Sequence, residues 1–254
     1  MSMEGSEMYK MCKKTIALLA AGMALSGCAT SQPAHPKDPL EGFNRAMFQI
    51  NDALDTVVVR PAAVVYDNVL PSPVKTGVSN FFSNLADLGN AANNLLQGKV
   101  EAAFGDLFRF ALNSTWGLLG VLDIASEAGI PKHNEDFGQT LAVWGVGDGP
   151  YLVLPLLGGR NLRDTAALPV DYYSHPTTYV EGDAAKYSFK AVEIVVKRAE
   201  LLPADRATEG QIIDKYAHLR DVYFQRRNYL IHDGNPPIEY EDFNGNGASN
   251  GGSR

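Results

Sequence analysis

Cys28 carries the most sharply specified chemistry in this 254-residue chain. It directly follows Leu25-Ser26-Gly27, and a thiol in that setting matches the bacterial lipobox. There the sulfur becomes a thioether to diacylglycerol and the chain is cut just before the cysteine. The linkage requires a thiol, and a narrow peptidase site requires small neighbours. The other cysteine, Cys12, falls in the segment that such a cut removes, so no disulfide framework is expected. Catalytic patterns are missing elsewhere. There is no G-x-S-x-G elbow, no Walker A loop and no dinucleotide fingerprint. Histidines 35, 133, 175, 218 and 232 form no H-E-x-x-H pair, and no second mature cysteine completes a sulfur site for zinc. His133-Asn134-Glu135-Asp136 is the best polar cluster, able in principle to set a general base beside a carboxylate. A solvated loop after Pro131 accounts for it more simply. Asp123 and Asp164 read as helix caps or buried acceptors. Arg226 and Arg227 read as a solvated helix face, with lipid headgroups as the sharper alternative. No catalytic residue, metal or cofactor is expected, and a net charge of −7 argues against a nucleic-acid partner.

The elements that would position these residues begin with an export signal. Lys10, Lys13 and Lys14 precede an apolar run from Ile16 to Leu25, too short for a permanent span, so residues 1–27 read as a signal peptide. Ala29, rather than aspartate, favours sorting to the outer membrane. Residues 28–37, with Pro33 and Pro36, read as a lipidated tether. A helical body spans 38–234. Phe43, Met47, Ile50, Leu54 and Val57 share one helical stripe, and Pro61 ends that element or begins the next. Val74, Val78, Phe81, Phe82 and Leu85 follow Pro71 and Pro73. Beyond Gly98, Val100, Phe104, Leu107 and Ala111 form another face, widened by Phe108 and Phe110. Asp106 and Arg109 are expected to pair on its remaining side. So wide an apolar face suits either burial or a membrane interface.

Residues 117–159 hold nine of the 24 glycines, and Asp148 is the only charge between Phe137 and Gly159. The glycines and prolines oppose a continuous spanning helix. The pattern predicts a hairpin with its turn at Asp148-Gly149, between apolar arms Leu141–Val146 and Tyr151–Leu157. Trp116 and Trp144 in this region suit core packing or interfacial anchoring. Further on, Ala191, Val192, Val195 and Ala199 mark a helix that Pro203 stops, and Thr208…Gln211 reads as a capping box. Ile212, Tyr216, Leu219 and Tyr223 mark the last helix. The tail, 235–254, is rich in Asn and Gly around Glu239, Glu241 and Asp242, and is expected to be disordered.

Several segments form a joint pattern: Asp38-Pro39-Leu40-Glu41-Gly42-Phe43-Asn44-Arg45 with Phe48 and Asn51, then Asn80-Phe81-Phe82-Ser83-Asn84-Leu85, and Arg109-Phe110 with Asn113, Gly117, Gly120 and Asp123. The most specific are Asp136-Phe137-Gly138-Gln139-Thr140-Leu141 and Gly149-Pro150-Tyr151 through Gly158; Arg163-Asp164, Tyr216, Arg220-Asp221, Tyr223 and Gln225-Arg226-Arg227 complete the pattern. Together they resemble the MlaA (VacJ) family of outer-membrane phospholipid-transport lipoproteins. Gly159-Arg160 departs from the proline expected after Gly158, which leaves the turn geometry there open.

The resemblance implies an all-α fold: a compact ring of amphipathic helices in the inner leaflet of the outer membrane, with an amphipathic channel and an apolar hairpin that controls access. It implies removal of mislocalised phospholipids from the outer leaflet and their transfer to the soluble periplasmic lipid carrier of the Mla pathway, in association with trimeric porins. No enzymatic step is implied. Phe43 and Asn44 would lie near the lipid passage, and Asp148, Gly149, Pro150 and Tyr151 in the gating hairpin. Two alternatives are a lipoprotein that scaffolds envelope proteins without conducting lipid, and a lipid hydrolase built on His133 and Glu135.

Overall fold

The computed structural model describes residues 35–237; the signal segment, Cys28, most of the tether and the acidic part of the tail lie outside the described residues. Helix α1 (Glu41–Leu54) runs through a π-turn (Asp55–Val59) into α2 (Arg60–Val69). The wider turn sits just ahead of Pro61, which has no N–H to continue an ordinary helical ladder. Helix α3 (Ser72–Leu96) starts on Pro71 and packs along α4 (Val100–Thr115). Gly98 makes the turn between them at φ +80, a backbone region that favours glycine.

Short elements follow, most with a polar cap: α5 (Ile124–Glu127), α6 (Phe137–Val143), strands β1 (Tyr151–Leu154) and β2 (Gly158–Asn161), and α7 (Leu162–Ser174). Asp123, Asp136 and Asn161 accept from the backbone N–H of Ser126, Gln139 and Asp164 at 3.1, 2.8 and 2.7 Å, which fixes where α5, α6 and α7 begin. A 3₁₀ turn (Pro176–Tyr179) leads to α8 (Asp183–Glu200), α9 (Leu202–Thr208) and α10 (Lys215–Ile231). Among the described residues the fold is helical apart from one antiparallel strand pair, as the all-α expectation required.

Four local expectations are corrected. The hairpin does not turn at Asp148-Gly149. Leu141–Val143 belongs to α6, which Asp136 starts, and the strands pair Tyr151 with Asn161 and Leu154 with Gly158, so the turn falls on Pro155–Leu157. Thr208 and Gln211 form no capping box. Thr208 closes α9 by donating to Ala204 O at 2.9 Å, and Asp214 caps α10 by accepting from Ala217 N. The segment 133–136 is not a solvated loop. Asn90 bridges it through His133 O (2.8 Å) and Glu135 N (3.0 Å), while Gln97 donates to Glu135. Finally, Asp106 and Arg109 do not pair on a polar outer face, because both are fully buried.

That last correction is general. Helix α3 turns Asn84, Asp87, Asn90, Asn93 and Asn94 inward, and α4 answers with Asp106, Arg109 and Asn113. Arg109 holds Asp123 at 3.0 Å and lies 3.6 Å from Asp87, which Lys132 also pairs; Asp106 takes Asn94 at 2.8 Å and His133 at 2.9 Å. Every such charge must be matched internally, because a buried unpaired ion costs several kcal/mol. The apolar stripes of α1 and α4 face largely outward instead, while that of α3 is divided, with Val74 exposed and Phe82 buried. Phe104 is 66% exposed and Trp116 70%, and of the α1 stripe only Met47 is buried. Contiguous exposed apolar surface of this kind marks contact with lipid or protein. No helix among the described residues is long and apolar enough to cross a membrane.

Candidate functional site

Around the hairpin, the apolar core cluster of Met47, Tyr151, Val153 and Tyr216 joins α1, β1 and α10, with Phe48, Tyr223 and Phe224 packed against it. Strand β1 has β2 on one side only. Its other edge is satisfied by the Lys37 carbonyl, which accepts from Tyr151 N at 2.8 Å, and by side chains of α1. Asn44 accepts from Val153 N at 2.8 Å and donates to Tyr151 O at 2.9 Å; two helical turns on, Asn51 accepts from Leu156 N at 2.8 Å and donates to Leu154 O at 2.9 Å. A primary amide offers a donor and an acceptor at the spacing of a backbone edge, so two asparagines two helical turns apart act as a substitute strand.

Asp38 anchors the same corner. Its fully buried carboxylate accepts from Asn44 at 2.8 Å and Arg220 at 3.2 Å, and from the Tyr216 hydroxyl. Burial and the Asp38 charge push Tyr151 up to about 12, so its hydroxyl stays protonated at any physiological pH. A second cluster fixes α6 and α7 to α10: Arg227 reaches both Asp136 oxygens at 2.5 and 2.6 Å and lies 2.6 Å from Asp164, which also accepts from Tyr223 at 2.6 Å. Burial works against the Asp136 charge, but Arg227 outweighs it and holds the carboxyl below its usual range. The motif residues at the two ends of the chain are therefore partners in charge networks. None is arranged as a nucleophile beside a base.

Beside the clamped strand lies a cavity of about 370 Å³. Its walls come from α1 and the π-turn (Phe48, Asn51, Asp52, Asp55), the strand pair (Tyr151, Val153, Gly158, Gly159), and α8, α9 and α10 (Arg198, Leu201, Asp205, Lys215, Leu219, Tyr223). Rings and aliphatic chains share it with five charges. Arg198 grips Asp55 through two bonds of 2.8 and 3.0 Å and Asp205 through one of 2.6 Å, while Lys215 pairs with Asp52. The Asp55 bond chiefly, against the opposing effect of burial, holds Arg198 further into its protonated range. Gly159 is required in this wall: a Cβ there would sit 1.8 Å from the Tyr151 hydroxyl oxygen. The Gly159-Arg160 departure noted in the sequence thus makes room for the Tyr151 ring.

The expected site residues divide. Tyr151 lines the cavity, and Asn44 braces its strand from behind without lining it. Phe43 is partly exposed on α1 and does not line the cavity. Asp148 is held by Arg163 at 2.7 Å and Asn161 at 3.2 Å; Gly149 turns at φ +67, and Pro150 O accepts from Leu162 N at 3.0 Å. These three form the approach to β1 rather than a hairpin tip. Sequence reading missed the wall charges Asp52, Asp55, Arg198, Asp205 and Lys215. Their one signal was a set of charges on otherwise amphipathic helices. Of the histidine cluster, His133 and Glu135 are tied into the α3–α4 network, away from this cavity.

Comparison with known proteins gives a consistent result. The MlaA lipoprotein family model matches residues 36–230. The intermembrane phospholipid transport system lipoprotein MlaA of Escherichia coli is 35% identical over 231 residues, covering 87% of this chain and 90% of that protein. The Haemophilus influenzae protein of the same description is 33% identical over 236 residues, covering 87% and 92%. An uncharacterized protein of Rickettsia felis is 35% identical over 195 residues, covering 76% and 78%. A solved structure, from work on the structural basis for maintenance of bacterial outer membrane lipid asymmetry, is 35% identical with a TM-score of 0.67, covering 76% of this chain and 98% of that one.

Proposed function

The chain belongs to the MlaA lipoprotein family, and from that premise we propose that it removes mislocalised phospholipids from the outer leaflet of the outer membrane and passes them to a soluble periplasmic carrier of the Mla pathway, maintaining lipid asymmetry. It acts from the periplasmic-facing inner leaflet, anchored through a lipidated Cys28 and associated with trimeric porins. No bond-breaking step is involved.

The observation that carries the reading is the cavity beside the strand pair, with charges and aromatic or aliphatic groups in one wall, in a body that exposes many large apolar side chains. Moving a headgroup through hydrocarbon is costly because it loses its hydration. A passage that meets the headgroup with polar groups and the tails with apolar ones lowers that barrier. Access is set by the approach segment Asp148, Gly149, Pro150 and Tyr151, braced by Asn44, with Phe43 the residue before it on α1.

The test is amine labelling of phosphatidylethanolamine at the cell surface, in cells with and without the protein and in cells carrying Cys28→Ala. The expected result is more surface label on deletion, reversed by the natural chain and not by the unlipidated one. Unchanged label on deletion, with the anchored protein verified in the parent cells, contradicts lipid removal and favours the scaffold.

A further inference from the structure

The charges in the cavity wall are unevenly available. Three carboxylates stand there against two cations. Arg198, the most enclosed of the five with a side chain 14% exposed, is already engaged by Asp55 and Asp205, and Lys215 is paired with Asp52. An anionic phosphodiester entering this wall must compete with a carboxylate for each cation and sit beside an excess of negative charge. A headgroup that also carries an ammonium meets that balance differently: although Lys215 and Arg198 already pair with Asp52 and Asp205, the surplus carboxylate charge attracts the amine, and both carboxylates are 36% exposed to it. The faces of nearby Tyr151 and Tyr223 also attract a cation. At about 370 Å³ the cavity lies in the range of roughly 300–1,000 Å³ that accommodates a small polar ligand.

We propose that this cavity selects lipids by headgroup charge, admitting amine-bearing zwitterionic phospholipids of the phosphatidylethanolamine class in preference to anionic ones of the phosphatidylglycerol class. The selection rests on the transport reading above and deepens it. Asp205 and Asp52 are the residues that set it, Arg198 holding Asp205 in place.

The apolar exterior also touches lipid, so the test must separate the two surroundings. The full lipidated chain is reconstituted in vesicles of equal phosphatidylethanolamine and phosphatidylglycerol. A photoreactive benzoylphenylalanine is placed either at Leu219, in the cavity wall, or at Phe104, on the exterior, and the captured lipids are identified by mass spectrometry. The expected ratio of zwitterionic to anionic lipid is roughly threefold higher at Leu219 than at Phe104, the scale of one partly exposed ion pair. Asp205→Asn brings the Leu219 ratio down to the Phe104 value, and Asp52→Asn provides the same comparison should the first variant fold poorly. Equal ratios at the two positions in the natural chain overturn the headgroup selection and leave transport standing. Capture at Phe104 with none at Leu219 overturns both, since the cavity then holds no lipid.

Discussion

The Asn44 side chain and Val153 backbone are joined across 109 positions of sequence: Val153 N donates to Asn44 Oδ1 at 2.8 Å, and the amide nitrogen of the same side chain turns to Tyr151 O at 2.9 Å. A strand with one free edge is closed there by a helix. Asn44→Ala would leave a buried N–H and a buried C=O without partners, each costing about 1–3 kcal/mol. The expected outcome is a clear fall in the denaturation midpoint together with increased surface phosphatidylethanolamine label. Asn44→Asp keeps an acceptor for Val153 and places a negative charge against Asp38, so it is expected to be no milder. Denaturation curves in detergent, beside surface labelling, check both.

Gly159 tests the wall of the cavity. A Cβ at this position meets the Tyr151 hydroxyl oxygen at 1.8 Å and the ring carbon that bears it at 2.5 Å. Gly159→Ala is therefore expected to displace the Tyr151 ring at a cost of about 1–3 kcal/mol and to impair lipid removal. Because the ring itself collides, Tyr151→Phe cannot relieve the change, whereas Tyr151→Val can in part. A double-mutant cycle on stability measures the difference, and additive effects would show that the two positions do not meet.

Arg109 tests the inverted interior. It is 1% exposed, and Asp123 and Asp87 both depend on it. Arg109→Met is expected to destabilise by about 3–5 kcal/mol, the cost of leaving buried carboxylates underpaired. Phe104→Ser, on the outward side of the same helix, should leave the unfolding curve in detergent little changed while weakening retention in vesicles. The opposite pattern would mean that the apolar face, not the polar one, holds the helix pair together.

These two helices also show what a sequence can and cannot disclose. Their existence was legible, because Val78, Phe82 and Leu85, or Val100, Phe104 and Leu107, recur at helical intervals. Caps such as Asp123 were legible too, since capping is local. Which face points inward was not: the same period serves a helix buried in water and one reversed in lipid, and only the partners Asn94–Asp106 and Arg109–Asp123 decide it. The turn falls several residues beyond Asp148-Gly149, and an apolar Gly-rich run does not say where a helix stops and a strand begins. Arg198 and Asp55 are 143 positions apart, so no local pattern could have paired them at the cavity.

Asp171 supplies a pH signature. Burial, with a further push from the Asp136 charge, raises its carboxyl from the ordinary 3.8 to about 6, even though Phe137 N donates to it. Between those values the folded chain holds a proton that the unfolded chain has released, so this group's contribution to stability falls as pH rises through the window. Asp171→Asn keeps an acceptor for Phe137 and removes the titration. The variant is expected to match the natural chain near pH 4 and to exceed its stability above pH 6. Parallel pH profiles of the two proteins would show no such group at work.

The central claim is that lipid passes through the cavity between α1, the strand pair and α10. Filling it from two sides with Leu201→Trp, at the junction of α8 and α9, and Leu219→Trp, on α10, tests that claim most directly, with surface phosphatidylethanolamine labelling as the readout. A folded, lipidated double variant is predicted to leave as much label at the surface as deletion does. Label at the level of the natural chain, with the protein present and anchored, would contradict passage through this cavity.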